Sequence, residues 1–449
     1  MTENMTIPII NDRETARTTI LRRVPLDEVE VSQHIQDGIT ARFGEPLSPA
    51  HAVARVLGDV RIRGDAALRE WTHRLDNVEI EAIEIPPARL EAAARSLDAE
   101  LLDALHLAAS ELERFHQHQS RNSWVDFSVE GVMGQIVAPL QRVGVYVPGG
   151  TAPLPSSLLH AAIPARVAGV EEIIVCSPPQ RERGEPAEVV LAAAHIAGVH
   201  RFFRLGGAQA IGAMAYGTES VPRVDKIVGP GNLFVVLAKR AVFGSVGIES
   251  LPGPTETLVI ADGQANPRSV AADLLAQAEH VLASAILLTP SEELASAVQQ
   301  EVSQQLTRLP EESARAAAEA VEQRGGIVLV PDLDTAFELA NEYAPEHLCL
   351  LISDPWAYVG RVRNAGGIFV GEYSFEVLGD YTAGPSHIMP TEGTARYASP
   401  VNVDDFRKVI SLVGKNAEAL RRIGPATVRF AEAEGLFAHA AAVRARLEP

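Results

Sequence analysis

Only two cysteines occur in 449 residues, Cys176 and Cys349. Two thiols cannot build a thiolate metal centre or a disulfide framework. Both sit in apolar runs, EEIIVCSP and HLCLLIS, where a cysteine behaves as a small buried hydrophobe. A reducing, cytoplasmic setting fits that usage. Positive charge is short too: 39 Lys and Arg stand against 58 Asp and Glu, a formal net charge of −19. Such a chain lacks the basic face that neutralises phosphates, so neither nucleic acid nor an anionic membrane is an expected partner. No apolar run approaches the roughly 20 residues that span a bilayer. The opening residues, MTENMTIPIINDRETAR, contain no apolar signal core. A glycine fingerprint for dinucleotides is also missing. Gly229 and Gly231 have its first spacing, but Phe234 stands where the third glycine belongs, and there is no P-loop.

What is present is a globular composition, 47% hydrophobic and 22% charged, in a chain long enough for two or more domains. Residues 50–74 and 88–118 carry Leu, Val and Ala at three- and four-residue spacing, which predicts helices. Short alternating segments follow over 119–143. From Val143 onward, β-rich runs (RVGVYV, EEIIVCS, RFFRL, DKIVG, ETLVIAD, SAILLTP, GIVLVPD, CLLIS, GGIFVG) alternate with amphipathic ones such as PAEVVLAAAHIAG and DTAFELANEYA. That alternation predicts a mainly parallel α/β fold. Nine strands can form one wide sheet or two smaller ones; two similar halves meeting near residues 251–262 are favoured. After Asp404 the chain is expected to turn helical again, through DDFRKVISLVG and residues 416–447.

Several stretches concentrate polar residues, Gly and Pro in the loops where α/β sheets bind ligands. YVPGGTAP, from Tyr146, is a rigid loop that lets a backbone approach a phosphate or flat ring; a plain turn explains it equally well. Gly206-Gly-Ala-Gln209 and Gly229-Pro-Gly-Asn232 each open a helix, an anion site or simple capping. In QAEH, Gln277 and His280 lie three apart, neighbours on one helical face and suited to metal ligation; a helix-end histidine is the plainer alternative. YAPEHL places Glu346 beside His347, two bases of different pKa that a two-stage reaction could use, although a lone Glu-His pair is commonplace and by itself carries no such role. GDYTAGPSH holds Asp380 and His387, and EGLFAH holds Glu434 and His439 around a helix-weakening Gly435.

In chain order, YVPGGTAP, PSSLLHAAIPARVAGV, GGAQAI, VDKIVGPGN, LPGPTETLVIAD, DLLAQAEH, YAPEHL, GDYTAGPSH and EGLFAHAAAVRAR resemble the histidinol dehydrogenase family from about Arg142 to Arg446. The resemblance implies NAD-dependent oxidation of L-histidinol through L-histidinal to L-histidine, the last step of histidine biosynthesis. It implies one zinc per chain, held by Gln277, His280, Asp380 and His439, an oxygen and nitrogen set that suits a substrate-binding zinc. Glu346 and His347 would be the acid–base pair. Thr255, His387 and Glu434 would contact substrate alongside the metal ligands and His347, and Tyr146, Gln209 and Asn232 would hold NAD. Two Rossmann-like domains without the glycine fingerprint are implied, together with a homodimer whose C-terminal segment completes the partner's site. The boundaries expected are a mainly helical 1–142, an NAD-binding α/β domain over 143–255, a zinc-bearing and catalytic one over 256–400, and a helical 401–449.

Two departures from the family pattern stand out. The turn after QAEH is one residue short, Val281-Leu-Ala-Ser leading straight into a strand, so the reach of His280 is in question; and Glu249 occupies a usual Asp position, from which little is expected. The rival readings are a paralogue oxidising another polar alcohol, such as a sulfonated diol, and a non-catalytic zinc- or ligand-binding relative.

Overall fold

The structure is a computed structural model describing residues 6–23, 32–149, 153–280 and 282–447. Its centre is a pair of six-stranded sheets. In the first, the strands run in the order Glu84–Ile85, Arg201–Phe203, Glu172–Cys176, Arg142–Tyr146, Lys226–Val228, Gly247–Ile248. All are parallel except Glu84–Ile85 at one edge. The second is parallel throughout: Ile9–Ile10, Gly326–Leu329, Ser284–Thr289, Glu256–Ala261, His347–Leu351, Gly367–Val370. Counted from its own first long strand, each sheet has the order 3-2-1-4-5, so the two halves repeat a topology without repeating a sequence. The chain passes from one sheet to the other between Gly247–Ile248 and Glu256–Ala261.

The strands are continuous apolar runs because helices cover both faces. Leu158, Leu191, Phe202 and Leu112 belong to the core on one side of the first sheet; Leu57, Phe203, Ile211 and Trp71 belong to that on the other. The second sheet is likewise sandwiched between Val259, Leu274 and Val298 on one face and Leu258, Phe337 and Leu350 on the other. Most of the N-terminal helices therefore belong to the first sheet's cores. The strand Ile9–Ile10 instead extends the second sheet.

Two helical stretches hold but are each divided, and one local expectation is corrected. Residues 50–74 form two helices, Pro49–Arg63 and Asp65–Asp76, because Gly64 takes φ +55° between them. Residues 88–118 also divide, into Pro87–Ser96 and Ala99–Gln117, the second capped by the Asp98 carboxylate. DDFRKVISLVG is not a helix. One 3₁₀ turn, Val403–Phe406, leads into the strand Arg407–Lys415, which pairs along its whole length with Gly131–Pro139. Val409, Ile410 and Val413 suit a strand, and the partner strand supplies the ladder that a sequence window cannot see. Trp124–Ser128 completes this three-stranded antiparallel arm. The C-terminal helices Ala417–Ala433 and Phe437–Leu447 follow, broken at Gly435 with φ +74°. No helix among the described residues is long and apolar enough to cross a membrane.

Candidate active site

The YAPEHL turn carries the most constrained side chains. Ala344 takes a left-handed φ of +53° and Pro345 follows, so the chain reverses before entering the strand His347–Leu351. That strand lies parallel to Glu256–Ala261, with His347 beside Thr257. Glu346 is buried; its Oε2 accepts the Thr255 hydroxyl at 2.6 Å and the Glu256 N–H at 2.9 Å. Burial pushes its carboxyl up to about 7, although the adjoining imidazole of His347 opposes the shift. His347 Nδ1 lies 3.0 Å from the Glu256 carbonyl oxygen, which can only accept, so Nδ1 carries the proton. Among the described residues Nε2 has no hydrogen-bond partner, and it faces Asp380 Oδ1 at 3.7 Å. Burial works against charging this imidazole, but the carboxylates of Glu346, Glu376 and Asp380 outweigh it and raise it to about 9.

Other expected residues close around this pair. Gln277 Nε2 donates to Thr255 Oγ1, making a relay from the amide through the hydroxyl to Glu346. His387 donates Nδ1–H to the Asp380 carbonyl at 2.9 Å and stacks on His160 with ring centroids 4.1 Å apart. His160 Nδ1 in turn accepts the His387 backbone N–H at 2.9 Å. Burial holds both imidazoles below the ordinary histidine range. His160 and Ser157, whose hydroxyl lies 3.4 Å from His387 Nε2, come from the helix Pro155–Ala168 of the first half. Sequence reading missed them: they belong to PSSLLHAAIPARVAGV, but a histidine in so apolar a helix reads as core. Glu376 was missed too. It is buried and acts electrostatically on His347, and burial pushes its carboxyl up to about 8.

His280 ends exposed just beyond the helix Pro267–Ala278, close enough to bear electrostatically on His387. Val281 lies outside the described residues. Leu282 adopts φ +63°, so the short turn forces a left-handed conformation on a residue with a Cβ. Glu434 and His439 are not brought to the cluster. Both are exposed, and no side-chain hydrogen bond or ion pair holds either among the described residues. Among those residues, no three His, Cys, Asp or Glu side chains stand close enough to hold a metal.

The second group lies at the carboxyl edge of the first sheet, where the strand order reverses between Arg142–Tyr146 and Lys226–Val228. Buried Tyr146 Oη accepts the Gly207 N–H at 3.1 Å. Gln209 is buried, with Oε1 unpartnered among the described residues and Nε2 3.4 Å from Asp76, whose carboxyl burial pushes up to about 6. Asn232 caps the helix Leu233–Val242 through its own side chain. Gly229, at φ +126°, packs so tightly on the Tyr146 carbonyl that a Cβ would overlap it. Glu249, from which little was expected, secures this loop. Its Oε1 accepts the Gly229 N–H at 2.8 Å and buried Lys239 Nζ at 2.6 Å, while Lys239 also donates to the Gly229 carbonyl at 3.1 Å.

Known proteins share this arrangement over nearly its whole length. The family model described as histidinol dehydrogenase matches residues 46–447. The chain belongs to the histidinol dehydrogenase family. A histidinol dehydrogenase of Deinococcus radiodurans is 54% identical over 437 residues, covering 97% of this chain and 98% of its own. One from Thermus thermophilus is 51% identical over 403 residues, 89% of this chain and 95% of that one. The crystal structure of histidinol dehydrogenase from Elizabethkingia anophelis superposes with a TM-score of 0.89 at 34% identity, covering 99% of both chains. The acid–base candidates stand at the amino ends of the second sheet's strands, not at the carboxyl ends where loop composition alone would seek them.

Proposed function

We propose that this chain oxidises L-histidinol through L-histidinal to L-histidine with NAD, closing histidine biosynthesis in the cytoplasm. Besides the family, one observation supports the reading most: a buried carboxylate and an imidazole share the backbone of Glu256, yet present different atoms to the site. With Nδ1–H committed to the Glu256 carbonyl, His347 Nε2 is the atom free to take the hydroxyl proton of the alcohol. Glu346, once ionised, takes a proton from the water that hydrates the aldehyde. The first α/β half is assigned to NAD, which accepts the hydride at each stage, through Tyr146, Gln209 and Asn232. Thr255, His387 and Glu434 are assigned to substrate.

The second half is assigned a zinc held by Gln277, His280 and Asp380, with His439 supplied by a second copy in a homodimer. These residues fit that ion: the Asp380 carboxylate receives no hydrogen bond among the described residues, His347 Nε2 nearby is orphaned, and the donors are oxygen and nitrogen. Bound zinc would orient the substrate through its nitrogen atoms. Phe127 on the antiparallel arm is 77% exposed and Phe430 on the helix before Glu434 and His439 is 73% exposed, apolar area that a dimer would cover. We expect about one zinc per chain. Chelation should abolish turnover and re-added zinc restore it; full activity in metal-free protein would refute the assignment.

Two NADH per histidinol consumed is the outcome that tests the function. Preference for a sulfonated diol would transfer the activity to a paralogous substrate, and equal efficiency with NADP would overturn the choice of cofactor. The acid–base pair also predicts a pH profile. Both groups act unprotonated and both are raised above their ordinary values, to about 7 for Glu346 and about 9 for His347. Activity is therefore lost as pH falls through the range of these two groups, which zinc bound beside them would shift downward, and gained as it rises. Glu346→Gln removes an anion that raises His347, so the acid limb of the alcohol step should move to lower pH. A limb that stays in place or moves up would contradict the coupling.

A further inference from the structure

Glu346 and His347 are both held by the backbone of one residue to which no role in the reaction has been assigned, Glu256. The Glu256 N–H donates to Glu346 at 2.9 Å, and its carbonyl accepts from His347 at 3.0 Å. The Glu256 side chain, only 3% exposed, is itself gripped. Its carboxylate receives a two-pronged ion pair from Arg23, with Nη2 at 2.8 Å from Oε2 and Nη1 on Oε1, and the Glu392 N–H at 2.8 Å. The same guanidinium donates Nε and Nη2 to the Tyr343 carbonyl at 3.1 and 2.7 Å, and lies 3.5 Å from the Tyr343 ring centroid. Tyr343 and left-handed Ala344 are the residues from which Pro345, Glu346 and His347 project. Arg23 thus clamps both supports of the acid–base pair, the start of the strand Glu256–Ala261 and the YAPEHL turn. A planar fork with five donors can do this; a lysine ammonium cannot serve the carboxylate and the carbonyl in the same geometry.

We infer that Arg23 and Glu256 are a positioning pair that sets Glu346 and His347 in register for both oxidation steps. The inference rests on the roles proposed above for those two residues. Because the Glu256 backbone holds both bases, disturbing it slows both half-reactions together, unlike a change at either base. Misplacement of a reacting group by about 1 Å can cost about 10²-fold.

Arg23→Met should lower kcat for histidinol and for histidinal alike by roughly 10–100-fold, with zinc content and the KM for NAD unchanged. That variant also leaves Glu256 as an unpaired buried carboxylate, which destabilises the fold. The double variant Arg23→Met/Glu256→Met removes both charges, so it should regain thermal stability yet remain slow, and Arg23→Lys should recover only part of the rate. The Nδ1 proton of His347, followed by NMR in histidine-labelled protein and assigned by its loss in His347→Asn, should shift upfield in the double variant. Wild-type kcat in the double variant, loss confined to one half-reaction, or an unmoved Nδ1 proton would overturn the pairing. Absence of NADH from wild-type protein with histidinol would instead overturn the proposed function, and the NMR comparison would still decide the pairing.

Discussion

Glu346→Gln is expected to slow oxidation of histidinal by about 10²–10⁴-fold while leaving histidinol oxidation far less affected. The reason is geometric. Glutamine is nearly isosteric, and its carbonyl oxygen can still accept the Thr255 hydroxyl and Glu256 N–H that glutamate holds at 2.6 and 2.9 Å. The pocket therefore keeps its shape and loses only a proton acceptor. The aldehyde must be hydrated before it can yield a hydride, and the water that adds needs that acceptor. The alcohol step needs a different atom, His347 Nε2, whose orientation is set by Nδ1 on the Glu256 carbonyl. Assaying the two substrates separately, with zinc content checked in parallel, separates these effects. His347→Asn should harm the alcohol step at least as severely as the aldehyde step. Equal impairment of both by Glu346→Gln, with zinc and NAD still bound, would exchange or merge the assigned roles.

The second large effect concerns His439. Asp380→Asn and His439→Asn should each reduce activity by roughly 10²-fold or more, since each removes a proposed zinc ligand. Co-expressed, the two inactive chains should regain about a quarter of the wild-type sites. In a mixed dimer one site carries both changes and the other carries neither, and random pairing makes about half the dimers mixed. That recovery requires Asp380 and His439 to come from different chains. No recovery, in dimers shown by mass to be mixed, would place both ligands within one chain. The exposure of His439 on a helix whose small apolar cluster, with Val428, Ala431 and Val443, is separate from the sheet cores is the observation behind the expectation.

Strand and helix alternation from Val143 onward was legible because each element's period is local: buried parallel strands are short apolar runs, and the helices between them are amphipathic. The adjacency of Glu346 and His347 is likewise a fact of covalent order. Arg407–Lys415 was misread for the complementary reason. Its ladder partner, Gly131–Pro139, lies far away in the chain, and its exposed faces give no buried stripe to read. Glu249 seemed inconsequential beside its usual aspartate, yet it accepts Lys239 and the Gly229 N–H, contacts that only the folded loop creates.

By itself, then, the sequence determined the α/β class and offered candidate side chains for acid–base and metal chemistry, because composition, local period and motif order are written residue by residue. Tertiary structure alone decided that Thr255, Gln277, Glu346, His347, Asp380 and His387 converge at the amino edge of the second sheet, that His160 from the first half supports His387, and that Arg23 reaches Glu256 across 233 positions. It also decided that Glu434 and His439 stand away from that cluster within one chain. Burial is the physical reason for the difference. A carboxyl raised to about 7 and an imidazole with its Nδ1 proton fixed are properties of desolvation and of hydrogen bonds between distant segments, and neither exists until the chain has closed around them.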